Sequence, residues 1–314
     1  MSLKKHLNTE AIQKKKDGQK VDEIAMFESL RNYFANKTDC AIIKTHSLPV
    51  KFNEDKIQCE SSDLMIVSYS KHRHCCIKVT LLQAKLAQQQ NDLPDIFKFH
   101  LDTNQYLLLK ECPVINPMQT RLPSNILSDS CSPSITSYGV FYEYAKSWNF
   151  AFEITQLLKP RSPITRKTTY NSNKVCYFDT TKDIYGWQRW RHALDYSLNH
   201  CWHPCPICYH HYYHGIELLS TISADTFEKA LMQFKIGSPL CFREGANQIS
   251  KIVGVIKRAT AIGRASEEVV NNFVSYISEY IGNNDNNNNN FEGDDRDVSL
   301  NPSYILLVNA DNEN

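Results

Sequence analysis

The chain carries almost no net charge and no long apolar run. Thirty-five Lys and Arg face thirty-four Asp and Glu, a formal charge of +1 over 314 residues. That argues against a strongly basic domain of the kind that coats nucleic acid, although a balanced total can conceal a local basic groove. No stretch approaches the ~20 consecutive apolar residues that cross a bilayer, so no membrane partner is expected. The opening MSLKKHLNTEAIQKKK is charged and lacks the apolar centre of a secretory leader. A cytoplasmic location is expected, and with it reduced thiols. The eleven cysteines then read mainly as small buried side chains. No internal repeat is present.

What is there is enough to build a core: 42% of the residues are apolar, and aromatics are plentiful. Residues 1–20 hold six Lys against Glu10 and Asp17 and read as a mobile or weakly helical basic arm. In VDEIAMFESLRNYFANK, Ile24, Phe27, Leu30 and Phe34 recur at helical spacing. CAIIKTHSLPV (40–50), DLMIVSYS (63–70) and CCIKVTLLQAK (75–85) read as strands, the last two joined by the short polar link SKHRH into a hairpin. LDTNQYLLLKE (101–111) reads as a helix ended by Pro113. A loop rich in Pro, Ser, Asn and Asp follows, and SITSYGVFYEYA (134–145) returns as a strand. Helices are expected at 186–200, 224–234 and 267–281. The segment after 281 is polar, Asn-rich and acidic. Over 281–314 seven acids face Arg296, a disordered composition, from which YILLVN (304–309) is expected to return as an edge strand.

One constellation carries chemistry. In an antiparallel hairpin the start of the first strand lies beside the end of the second. Asp63 therefore meets Gln83 and Lys85, which are two apart and share one face of the pleat. A carboxylate, an amide oxygen and an ammonium converge at one sheet edge. Asp63, the Gln83 carbonyl and the main-chain carbonyl of Ala84 are hard oxygen ligands suited to Mg²⁺. Lys85 is placed to orient or deprotonate a water, or to hold a phosphate oxygen. Glu60 is a further candidate ligand. The set fits metal-assisted hydrolysis of a phosphodiester. The bland alternative is a surface ion pair across a hairpin, worth little.

The order helix with FE, strand, ESSDLMIV, strand, LLQAK, helix resembles the PD-(D/E)xK nuclease superfamily with its restriction-endonuclease-like fold. The QAK ending is most similar to the branch with Gln in place of the middle acid, found in methylation-dependent restriction enzymes and several phage-defence nucleases. The resemblance covers residues 21–145. It implies that Asp63 and Gln83 hold the metal and that Lys85 assists catalysis. The first-helix glutamate of the family maps onto Glu28, in MFESL, while helical periodicity places Glu23 in the middle of the apolar stripe. Gln105 and Tyr106, at the start of the next helix, are candidates to contact a phosphate or base.

HCWHPCPICYHHYYH (200–214) sets Cys201, Cys205 and Cys208 at C-x₃-C-x₂-C spacing among five histidines. A Cys-Pro-x-Cys turn points two sulfurs at one centre, which tetrahedral Zn²⁺ accepts. Cys176 or His211 is a candidate fourth ligand. A second paired knuckle is lacking, and buried thiols in a helix–loop core are the alternative. Trp187, Arg189, Trp190 and Arg191 interleave aromatic and basic groups, as base-stacking surfaces do. Lys257, Arg258 and Arg264 form a second candidate phosphate edge.

These readings give an α/β protein: a restriction-endonuclease-like mixed central sheet flanked by helices, with a mostly helical C-terminal elaboration. The expected divisions are a basic arm (1–20), a nuclease core (21–145), an elaboration with the Cys/His cluster (146–281), an acidic segment (282–303) and a terminal strand (304–314). The expected function is a DNA endonuclease dependent on Mg²⁺ or Mn²⁺, with a structural Zn²⁺ as a second candidate metal. Restriction or phage defence follows from the resemblance alone. DNA is the expected partner, with a second copy or a defence protein beside it. The alternative is a catalytically degenerate interaction or sensor subunit on the same fold.

Overall fold

The computed structural model describes residues 1–45, 49–54, 56–71, 77–88, 96–117, 124–128, 130, 132–161, 164, 174–179, 183–185, 217–240, 249–254, 256, 261–262, 266–284 and 303–311. Helices α1 (Leu3–Lys16), α2 (Glu23–Ala35), α3 (Thr103–Glu111), α4 (Ala224–Met232) and α5 (Ser266–Asn284) surround a mixed sheet. The strands before α3 are β1 (Cys40–Lys44), β2 (Val50–Phe52), β3 (Ile57–Cys59), β4 (Leu64–Tyr69), β5 (Ile77–Leu86) and β6 (Ile96–Leu101). Those after it are β7 (Asn116–Pro117), β8 (Thr136–Tyr144), β9 (Ser147–Ile154), β10 (Lys159–Pro160), β11 (Lys174–Asp179), β12 (Ile184–Tyr185), β13 (Leu218–Thr221), β14 (Ser238–Pro239), β15 (Ala261–Ile262) and β16 (Tyr304–Asn309).

The large sheet runs β12-β13-β9-β8-β5-β4-β16-β1-β15, with β14 also on β5. Its centre is buried on both faces. Met65, Val67, Tyr69, Val79 and Leu81 enter one core with Leu108, Leu109, Phe273 and Ile277 of α3 and α5. Leu64, Ile66, Leu82 and Ala84 enter the other with Leu7, Met26, Leu30, Phe227 and Leu231 of α1, α2 and α4. Successive strand residues alternate between faces, so near-continuous apolar runs in β4 and β5 feed both cores at once.

The 63–85 hairpin forms as expected, Leu64 opposite Leu82 and Tyr69 opposite Ile77. Three other expectations are corrected. Residues 3–16 are not a loose arm. Ser2 caps the helix, accepting from Lys5 N–H, and Leu3, Leu7 and Ala11 form a buried i, i+4, i+8 stripe. Asn8 locks it to β9, donating to Trp148 O and accepting from Trp148 N–H, both at 2.7 Å. The second correction concerns α2, whose buried face is Met26, Leu30, Tyr33 and Phe34, while Ile24 is 70% exposed.

The third concerns the C-terminal elaboration: among its described residues helices α4 and α5 stand beside many strands, and β9, β12, β13, β14, β15 and β16 join the large sheet. In particular, β16 is not an edge. It lies between β4, parallel, and β1, antiparallel, with Leu306 and Leu307 fully buried. Its ends are tied by Thr45 N–H to Ser303 O at 3.0 Å and Ala310 N–H to Tyr69 O at 2.9 Å. Asp311 accepts from Ser70 Oγ at 2.7 Å and from Lys71 N–H. Helix α5 runs to Asn284, and residues 285–302 of the acidic segment lie outside the described residues. Among the described residues no helix is long and apolar enough to cross a membrane.

Candidate functional site

Asp63 stands one residue before β4. Its N–H donates to Leu82 O at 3.2 Å, which continues the ladder and sets Asp63 opposite Gln83. The Gln83 amide Nε2 donates to Asp63 Oδ2, and the same oxygen accepts from Ala84 N–H at 2.7 Å. The expected meeting of carboxylate and amide therefore occurs, on a side chain, Gln83, that is nearly fully buried.

Lys85, two residues on, does not hydrogen-bond to Asp63. Its Nζ pairs with Glu23 Oε1 at 3.3 Å, and Glu23 Oε2 accepts from Leu86 N–H at 3.1 Å. Asp22 caps α2 by accepting from Ala25 N–H at 3.0 Å, so Glu23 opens the helix beside the end of β5. Glu28 takes no part. It lies more than one turn further along α2 and pairs with Lys14 at 3.7 Å, half exposed. The helix acid at this site is Glu23. Its position immediately after a capping Asp is the sequence signal that marks it as the group at the helix mouth.

Gln105, in the first turn of α3, reaches the site from above. Its Nε2 donates to Gln83 Oε1 and, at 3.4 Å, to Glu60 O. The α3 turn is held by Asp102, which accepts from Gln105 N–H at 2.9 Å. Tyr106 turns into the core instead, and burial pushes its hydroxyl pKa up. Glu60 is exposed.

The electrostatics of Asp63 follow from this packing. Burial raises its carboxyl from the ordinary 3.8 to about 6. The Lys85 charge and the Ala84 N–H oppose the rise, and the Glu23 and Glu60 charges add to it. The Glu23 and Glu60 charges beside this buried carboxyl favour a cation there. The donors are hard oxygens, as Mg²⁺ requires. Asp63 would anchor the ion, with Glu23 and the Ala84 carbonyl beside it. The Gln83 oxygen is turned toward Gln105, so it would join only after the amide rotates. Among the described residues no group of three or more His, Cys, Asp and Glu side chains is gathered to hold a metal.

The Cys201, Cys205 and Cys208 cluster, its histidines, the Trp187–Arg191 stretch and the basic positions Lys257, Arg258 and Arg264 lie outside the described residues. Cys176, a candidate fourth zinc ligand, is on β11 and fully buried. Comparison of the chain with protein-family models, with curated proteins and with solved structures gives no match.

Proposed function

We propose that this chain is a Mg²⁺-dependent DNA endonuclease built on a restriction-endonuclease-like core and acting in restriction or phage defence. The observation that carries the reading is the convergence of Asp63, Gln83, Lys85 and Glu23 where α2 meets the open end of the β4–β5 hairpin. This convergence supports the resemblance seen in the sequence and replaces Glu28 by Glu23 in the set.

In the proposed reaction a water oxygen bonds to phosphorus and gives up a proton to solvent, while the P–O bond to the leaving oxygen breaks and that oxygen takes a proton from solvent. Asp63 and Glu23 supply the carboxylates that would hold the ion. Lys85, kept in place by Glu23, points its ammonium at the phosphate oxygens and orients the attacking water. Gln83 and Ala84 N–H both donate to Oδ2 and hold the Asp63 carboxylate in place. When bound, a divalent ion supplies charge neutralisation on the non-bridging oxygen. The test is cleavage of plasmid and linear DNA with Mg²⁺ or Mn²⁺ by the natural chain, Lys85→Ala and Asp63→Ala. Loss in both variants, with folding intact, supports the assignment, and cleavage surviving both removes it.

A second reading rests on the same hydrogen bonds. Asp63, Gln83, Gln105, Glu23 and Lys85 satisfy one another, as a polar cluster kept for fold alone also would. A catalytically degenerate interaction subunit predicts tight partner binding and no cleavage with any divalent ion.

A further inference from the structure

The small sheet β10-β11-β6 has two unlike faces. Register sets Lys159, Tyr177 and Lys98 in one row. The next row holds Arg161, Val175 and His100, with Arg161 N–H donating to Val175 O at 2.9 Å. Residues in one row, and residues two apart on one strand, share a face. Lys98, His100, Lys159 and Arg161 therefore lie together. The other face carries Phe99, Leu101 and Cys176, all fully buried. The basic face is the outer one: His100, Lys159 and Arg161 are exposed and Lys98 is half-buried. Lys159 and Arg161 form no ion pair among the described residues. Asp179 holds the strand position at the far end of β11 on this face.

The local sequence is one-signed as well. KPRSPITRKTTYNSNK, residues 159–174, contains five Lys and Arg and no Asp or Glu. In a chain of net charge +1 this is a concentrated cationic tract, rich in hydroxyl and amide side chains that suit phosphate oxygens.

The basic face of the small sheet adjoins the candidate site. Gln88 lies three residues beyond Lys85, about 10 Å of extended chain. Its N–H donates to Lys98 O at 2.7 Å, and its side-chain amide meets the His100 ring. The basic face therefore begins where the lysine strand leaves the large sheet.

We propose that the outer face of β6, β11 and β10 is a docking tract for the phosphodiester backbone of double-stranded DNA, which it leads toward Lys85. The choice of DNA rests on the nuclease reading. The physical basis is charge complementarity: a duplex carries about one negative charge per 1.7 Å of its axis, and each phosphate contact releases counterions. Contacts of this kind place the duplex and carry no base information.

The experiment is fluorescence anisotropy of a labelled 30-base-pair duplex titrated with the full chain without divalent metal, at several salt concentrations. Lys159→Ala/Arg161→Ala is compared with the natural chain and with Lys5→Ala/Lys16→Ala, which removes the same charge from α1. Loss of two phosphate contacts lowers the slope of log affinity against log salt by about 2 and weakens binding at least about tenfold. The α1 variant keeps the natural slope. Equal binding by the natural chain and the tract variant, equal weakening in both variants, or no duplex binding at low salt by the natural chain overturns the proposal. Duplex binding lost in the tract variant, together with absent cleavage by the natural chain with Mg²⁺ and Mn²⁺, upholds the tract and removes the nuclease reading instead.

Discussion

Glu23 and Lys85, sixty-two residues apart, meet at 3.3 Å, while Glu23 also accepts from the main chain at Leu86. One side chain at the mouth of α2 thus fixes both the ammonium and the strand that carries it. Glu23→Gln is expected to lower DNA cleavage by at least about a hundredfold, the scale for losing a positioned group in such a site. Glu28→Gln, whose half-exposed pair with Lys14 contributes at most about 0.5 kcal/mol, leaves cleavage and stability unchanged. A cleavage assay on the two variants side by side decides between the acids, and equal loss in both sinks the assignment.

Asp63 makes stability depend on pH. Its carboxyl is raised in the folded state to about 6, chiefly by burial, while the unfolded chain ionises near the ordinary value. The native state therefore holds a proton that the unfolded state releases. The contribution is fully present below about pH 4 and is lost as pH rises through about 6. The rise from 3.8 to about 6 is equivalent to about 3 kcal/mol. Urea unfolding of the natural chain and Asp63→Asn across pH 3.5–7 should show their stability difference change by roughly that amount. A flat difference would contradict the buried placement of the carboxyl.

The same proton competes with a metal. Mg²⁺ or Mn²⁺ affinity, measured by calorimetry, is expected to fall about tenfold per pH unit below about 6 and to level off above it. Gln83→Glu adds a third acid beside Asp63 and should tighten the ion while destabilising the metal-free chain. Tightening absent at pH 7.5 would mean that position 83 does not face the ion.

Gln105 holds the Gln83 oxygen. Gln105→Leu leaves that buried carbonyl unpaired and is expected to cost about 1–3 kcal/mol, read as a lower urea midpoint at unchanged slope. Gln105→Glu, a near-isostere without the donor, should behave alike at neutral pH. An unchanged midpoint in both would show that the hydrogen bond adds nothing to the fold.

Leu307 tests the position of β16. A fully buried leucine in the middle of the sheet should cost about 2–5 kcal/mol when cut to Ala. A terminal edge strand would tolerate the change, with a loss below about 1 kcal/mol.

Much of the architecture was legible locally. Apolar runs in 63–70 and 75–85 with a short polar link dictate a hairpin. Its pairing makes Asp63 and Gln83 neighbours, because antiparallel register is arithmetic once the turn is placed. Asp102 before Thr103 and Ser223 before Ala224 announce two helices by capping chemistry that acts within four residues. The pattern 3, 7, 11 in the basic N-terminal stretch was also present, hidden by a lysine count that says nothing about which face is buried.

What only the tertiary structure decided involves partners far apart in the chain. YILLVN has the composition of any buried strand. Its place between β4 and β1 follows from hydrogen-bond ladders to residues more than two hundred positions away. Glu23 and Glu28 are both acids on one helix, and periodicity alone does not say which end of α2 abuts β5. The docking of the helix mouth against Leu86 N–H settles it. The raised carboxyl of Asp63 likewise comes from burial and from the Glu23 and Glu60 charges, against the opposing charge of Lys85. Local sequence determines the elements and their caps through contacts within a few residues. The long-range packing of those elements determines which polar groups share a low-dielectric corner, and that corner is where chemistry is proposed.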